Sequence, residues 1–499
     1  MTESWMRLPG RARHLAPVLA IPLLLAGTVS GIGPTGAAAA PAAACRAWSG
    51  PPPPSPGTDD NELNAVAVLS PCDAWAVGDQ HSGGVEQTLI EHWDGTAWTA
   101  VASPNVAGRD NQLNGVRAAS PTDIWAVGES FSTGADQTLI LHWNGHTWTQ
   151  VASPTPGTGA ALNAVRTVSA TDAWAVGFFD NGTADVPLIL RWNGQTWAQV
   201  ASPHPGTFGA LDAVAATSAS NAWAVGTFFD GTVDQGFILR WNGQKWAQVA
   251  SPNPGGPTRD TFLNGVAAGG TSGKAWAVGF FDNGTADVPL ILRWNGQTWA
   301  QLASPHPGTF GALDAVAATS ASNAWAAGTF FNGTADQGFI LRWNGTKWAQ
   351  VAIPNPGGPT RDTFLNGVAA GAGSGKAWAV GAYNNGTTDK TLILTWTGTK
   401  WAQQASPAPG SSALDSVATT AADNTWAVGA YKNSTIVASL ILHWNGTKWA
   451  QVGSPNPSPT SNFLFAVAAS SASNAWAVGR FTDDSGPTTV DKTFAIHCC

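Results

Sequence analysis

The stretch Leu188-Ile189-Leu190-Arg191-Trp192-Asn193-Gly194-Gln195-Thr196-Trp197 holds an apolar run, an Asn-Gly pair and the start of a second run. Short runs rich in branched and aromatic residues, bounded by turn formers, are strand signals. Asn-Gly between two of them signals a two-residue type I′ hairpin. Two further runs, Leu162 to Val168 and Ala173 to Phe179, precede the hairpin, and the last run, from Trp197, ends at Ala201. These four runs predict strands A, B, C and D of one antiparallel sheet. No segment keeps a 3.6-residue apolar period with caps, so the expected class is all-β.

The unit recurs. Trp-Ala-Val-Gly or a one-residue variant starts at Trp75, Trp125, Trp174, Trp223, Trp276, Trp325, Trp378, Trp426 and Trp476, at spacings of 48 to 53 residues. A strand C Trp and, five residues on, a strand D Trp follow in every copy but the last. A lone four-stranded sheet leaves both faces wet, whereas sheets packed around an axis bury both. The expectation is a single β-propeller of nine four-stranded antiparallel blades over residues 45–499. The last copy stops after strand C at His497, while Arg46-Ala47-Trp48 matches a strand D. An N-terminal strand completing the last blade would shut the ring. The same alignment puts Cys45 and Cys499 at the two turn positions of a hairpin whose peptide link is absent, with Cys72 and Cys498 close by. Disulfides among Cys45, Cys72, Cys498 and Cys499 are expected, Cys45 bonding Cys498 or Cys499.

Residues 1–44 read as a signal peptide: Arg7, Arg11 and Arg13, an apolar run from Leu15 to Gly27, then small residues up to Ala44. No later apolar run reaches 18 residues, so no transmembrane segment is expected. Export makes disulfides chemically sensible. Cys45 after three alanines also fits a lipid anchor, but no Leu stands three residues before it. The predicted location is secreted and extracellular. The 499 residues carry a net charge of −8 with 11% charged residues, which gives no basic footprint for nucleic acid. A monomer is expected.

The Trp-Ala-Val-Gly, Trp-Asn-Gly and Trp-x-x-Val-x-Ser-Pro set resembles Trp-rich repeat proteins exported by actinobacteria and related bacteria, which look like β-propellers. The resemblance covers about 455 residues. It implies fold and says almost nothing of function.

Residues present in every blade serve the blade, because catalysis needs an asymmetric site. The His or Arg before the strand C Trp at His92, His142, Arg191, Arg240, Arg293, Arg342 and His443, with His497 equivalent, is therefore assigned to blade-edge hydrogen bonding. The acid before strand C, such as Glu86, Asp136 and Asp185, is assigned to turn capping. Asn64, Asn114, Asn163, Asp212, Asn264, Asp314, Asn366 and Asp415 recur in strand A. They read either as caps of the D–A turn or as a polar ring that captures a ligand. Aromatics follow the strand B glycine at Phe179, Phe228, Phe281, Phe330, Tyr383, Tyr431 and Phe481, and the D–A loops carry Arg109, Arg259 and Arg361. Both loop sets share one face in propeller topology. These ten residues are the candidate ligand-binding set, packing between blades being the alternative for the aromatics.

Cys-x-x-Cys, His-x-His and Gly-x-Ser-x-Gly are absent, so no metal, cofactor or nucleophile is assigned. Residues 178–268 recur almost unchanged at 280–370, which suits a scaffold or multivalent binder better than one tuned active site. The leading expectation is a binding or scaffold module at the cell exterior, with a glycan or protein ligand. The alternative is a carbohydrate-active hydrolase or lyase using loop carboxylates near Asp59, Asp60 and Glu62.

Overall fold

The computed structural model describes residues 54–498, leaving out 71, 96, 133–134, 205, 269–274, 306–307, 321–322, 371–375, 472–473 and 485–488. The expected signal peptide, the expected N-terminal strand at residues 46–50, Cys45 and Cys499 lie outside the described residues, as does the side chain of Cys498.

The described residues form strands β1 (Asn61–Ser70) through β35 (Val490–Cys498) and no helix. They run as antiparallel meanders of four: β1–β2–β3–β4, β5–β6–β7–β8, β9–β10–β11–β12 and so on. The last group, β33 (Ser461–Ser471), β34 (Asn474–Asp483) and β35, has three strands among the described residues. One parallel pairing, Gln235 with Thr261, joins two of these sheets, and Val437 with Ser461 joins two others. In the third repeat the strands are Gly159–Ser169, Asp172–Asp180, Asp185–Trp192 and Trp197–Gln199, matching the four predicted runs.

The hairpin corrects the sequence reading. Pairing ends at Trp192 opposite Trp197, so four residues form the loop, not two. Asn193 Oδ1 accepts the amides of Gln195 and Thr196, both at 2.9 Å. Gly194 has φ 94°, the left-handed region that glycine enters without strain. The asparagine is thus used as an acceptor for the turn's own backbone.

The recurring glycine after Trp-Ala-Val is also explained. Strand A carries a bulge opposite it: Leu162 pairs Gly177 and Ala164 pairs Val176, leaving Asn163 as the extra residue. A Cβ on Gly177 would sit 2.1 Å from Ala161 O. The bulge frees the Asn163 side chain, whose Nδ2 donates to Leu211 O of the next sheet at 3.0 Å. Asn64, Asn114 and Asn366 do the same to Leu113, Leu162 and Leu414. These asparagines staple the A strands of neighbouring sheets together. That differs from both roles read from the sequence.

Apolar side chains of neighbouring sheets merge into shared clusters. The strand B Trp of the first seven repeats packs on the strand C and D Trp of the next sheet: Trp276 lies 4.9 Å from Trp343 and 5.1 Å from Trp348. The His or Arg before the strand C Trp stacks on the strand B Trp of its own sheet, as His142 does on Trp125 at 4.1 Å. In four blades it also bonds the residue that opens strand B: His92 to Asp73 at 3.0 Å, His142 to Asp123 at 2.8 Å, Arg191 to Asp172 at 2.8 Å and His443 to Asn424 at 2.7 Å. The expected hydrogen bond is present at these four, and the stacking adds to it.

The same contacts join last sheet to first. Trp476 lies 4.9 Å from Trp93 and 5.0 Å from Trp98. Asp110 Oδ1 of the second sheet accepts the Glu86 amide of the first at 2.9 Å, and Asp60 Oδ1 of the first accepts the Asp491 amide of the last at 2.9 Å. The chain is a β-propeller whose first and last blades abut. Cys72 is a free, exposed thiol. It leans on its own sheet's turn, since a Cβ on Gly95 would lie 3.1 Å from its Sγ. The partners expected for it, Cys45, Cys498 and Cys499, have side chains outside the described residues.

Candidate functional site

The propeller's repeated parts are structural, so a site must be sought where a blade departs from the rest. The chain's five glutamates are Glu3, Glu62, Glu86, Glu91 and Glu129, none beyond the second blade. Blade one departs most. Asp79 faces Thr88 across strands B and C, where Glu129 faces Thr138 in blade two and Arg480 faces Thr493 in the last.

Asp79 and His81 lie two residues apart on β2 (Asp73–Ser82) and so project to the same side. Glu86, on β3 (Val85–Trp93), pairs directly with His81 across the Gly83-Gly84 turn. His81 Nε2 is 3.1 Å from Asp79 Oδ2 and 3.5 Å from Glu86 Oε2. Asn64 and Gln112 hold the other Asp79 oxygen at 3.2 and 3.3 Å. The side chains of Asp79 and Glu86 are 3% and 13% exposed, whereas His81 is 38% exposed, so the imidazole forms the wet edge.

The electrostatics are those of acids crowded out of water. Burial, then the charge of Asp79, pushes Glu86 up to about 7. Burial, then Asp136, pushes Glu129 up to about 7. Glu62 is raised by burial and then by Asp79, with Arg480 opposing. Asp79 is raised by burial, against the hydrogen bonds from Gln112, His81 and Asn64. Carboxyls raised toward neutrality beside one another can exchange protons or gather around a cation. A second acidic hollow of about 370 Å³ lies between blades two and three, lined by Asp136, Asp180, Asp185 and Ser132 among others.

The ten sequence-derived candidates do not converge. Phe281 and Phe481 are buried, and Phe179, Phe228, Phe330, Tyr383 and Tyr431 pack half-buried against inter-blade clusters. Arg109 binds Ser130 and the carbonyl of Ala135. Arg259 donates to Asn283 O at 2.5 Å. The Arg361 guanidinium would meet a Cβ on Gly386 at 2.8 Å. Each arginine thus ties a D–A loop to the next B–C turn. The exposed aromatics near this face are instead Phe208 and Phe310, 48% and 43% exposed at the start of strand A. Sequence reasoning missed them, although Thr-Phe-Gly recurs 102 residues apart. It also missed Asp79 and His81, which the departure of blade one from the other repeats would have flagged.

No protein-family model matches the chain, and no curated protein matches it in sequence. Among solved structures it is similar to YCF48 bound to a D1 peptide, at 16% identity over 68% of this chain and 95% of that one, TM-score 0.38. It is similar to a GH74 xyloglucanase from Xanthomonas campestris at 14% identity, over 89% and 74%, TM-score 0.37. Sqt1 from Chaetomium thermophilum matches at 9% identity, over 87% and 96%, TM-score 0.43. Likenesses this distant say nothing of ligand or reaction, and the propeller rests on this chain's own strand pairing.

Proposed function

We propose that residues 45–499 are an exported, nine-bladed propeller that binds or scaffolds at the cell exterior, with a saccharide or protein ligand. The nine-blade count draws support from nine apolar clusters, one for each pair of neighbours including last with first. In this reading residues 46–50 supply the last blade's fourth strand. Cys45 then pairs with Cys498 or Cys499. The observation that carries the binding role is the division of labour between residues. Tryptophans and asparagines that hold the ring repeat from blade to blade, while the B–C turns and D–A loops differ in charge and present Phe208 and Phe310. Exposed aromatics on a rigid frame suit sugar rings or peptide side chains. The half-buried edges of Phe179, Phe228, Phe330, Tyr383 and Tyr431 and the arginines Arg109, Arg259 and Arg361 belong to the same face.

Screening the secreted protein against arrayed cell-wall glycans and peptides tests this. Retention without turnover, weakened at least about tenfold by Phe208→Ala with Phe310→Ala, is the expected result. No retained ligand, or retention indifferent to both changes, would count against it. The carbohydrate-active alternative has one observation in its favour, the raised Glu62 and Glu86 beside Asp79. Hydrolysis of a polysaccharide that Glu62→Gln abolishes would establish that reading instead.

A further inference from the structure

We propose that Asp79, His81 and Glu86 together hold one divalent transition-metal ion on the first blade. The proposal is independent of any ligand for the propeller's face. Three potential ligand atoms, one from each residue, lie within 4.8 Å of one another. A tetrahedral zinc-type ion with bonds of about 2.0–2.1 Å separates its ligand atoms by about 3.3–3.4 Å. The two distances from His81 Nε2, 3.1 and 3.5 Å, bracket that edge.

Backbone pairing brings the donors together without help from a loop. Two come from alternate positions of β2, and the third stands opposite on β3. Outer support is also in place. Asn64 and Gln112 donate to Asp79 Oδ1, leaving Oδ2 turned toward His81. Hydrogen bonds of this kind fix a metal-binding carboxylate in direction. The exposed side of His81 leaves room for water or a ligand oxygen in a fourth position. One imidazole with two carboxylates favours zinc, cobalt, nickel or manganese over calcium, which prefers oxygens alone. No other blade repeats the set: the corresponding residues are Glu129, Phe131 and Asp136 in blade two, and Arg480, Thr482 and Asp491 in the last. One ion per chain is therefore expected.

The competing explanation is a protonated His81 bridging two carboxylates with no metal. Metal titration separates the two. Untagged, metal-stripped, full-length protein carrying Cys72→Ser, so that its thiol takes no metal, is titrated with Zn²⁺ by calorimetry and with Co²⁺ by visible absorption. The expected result is one saturable ion per chain and a cobalt spectrum of tetrahedral intensity. His81→Ala and Glu86→Gln should each weaken binding by at least about tenfold, consistent with loss of one ligand. His92→Ala, which removes a histidine paired with Asp73 on the same blade, should leave the metal affinity unchanged. Melting of each variant in chelator establishes that it is folded. No saturable binding at millimolar metal, or binding that persists in both His81→Ala and Glu86→Gln, overturns the proposal.

Discussion

An asparagine amide can donate to a carbonyl, and an ionised aspartate cannot. Asn366 donates to Leu414 O at 3.0 Å. Asp415 holds the corresponding bulge position one blade on, between Leu414 and Ser416. Burial pushes it up to about 7, above an ordinary value of 3.8. A folded value above the unfolded one means that the native state favours the proton. The associated stability is complete below about pH 4 and is lost as pH rises through about 7. Asp415→Asn should therefore stabilise the protein by about 1–3 kcal/mol at pH 8 and by little at pH 4, read from denaturant midpoints. Parallel wild-type and variant curves would exclude this account. Glu91 is the plainer case. It is fully buried, its oxygens have no partner, and burial raises it well above 4.5. The neighbouring blade has Leu141 at that place. Glu91→Leu should raise the melting temperature by several degrees, as expected for removing an unsatisfied buried carboxyl worth about 2–4 kcal/mol. A lowered melting temperature would mean that the carboxyl has a role the core does not explain.

Strands A to D were legible because each run is short, apolar and bounded by turn formers, and because nine copies reinforce the pattern. The turn around Asn193 was misread. Asn-Gly signals a two-residue loop, but the side chain satisfies two amides of a four-residue one. Asn193→Ala should cost about 1 kcal/mol, checked by thermal melting. Stacking of His or Arg on the strand B Trp was not legible, because the partners lie on adjacent strands and far apart in sequence. The Asp79, His81 and Glu86 group escaped for a related reason. The group lies within the eight residues from Asp79 to Glu86, but Glu86 reads as one more turn-capping acid and only the pairing of His81 with Glu86 shows that the three side chains meet. The Asn role needed the bulge, which moves one side chain out of the ladder toward the next blade. The tryptophans carry the largest energies at this scale. Trp276→Ala removes a fully buried ring from between two others and should cost about 3–5 kcal/mol, measured by chemical denaturation. Two-state unfolding with an unchanged midpoint would refute the inter-blade role.

For the molecule as a whole, closure is the question on which the rest depends. The Trp contacts of Trp476 with Trp93 and Trp98, and the Asp60 bond to Asp491, reproduce across the ends what links blades elsewhere. Ser55 Oγ and Thr493 Oγ1, 3.1 Å apart, add a further tie between the two ends of the described chain. Blades that repeat with a 102-residue shift fit this frame, since neighbouring blades meet through the same side chains. The most direct measurement is a crystal structure of the secreted protein. The account predicts nine blades around one axis, Trp476 seated on Trp93 and Trp98, and residues 46–50 running as the outer strand beside β35. Two smaller rings, or an open arc with Trp93 and Trp98 facing solvent, would contradict it.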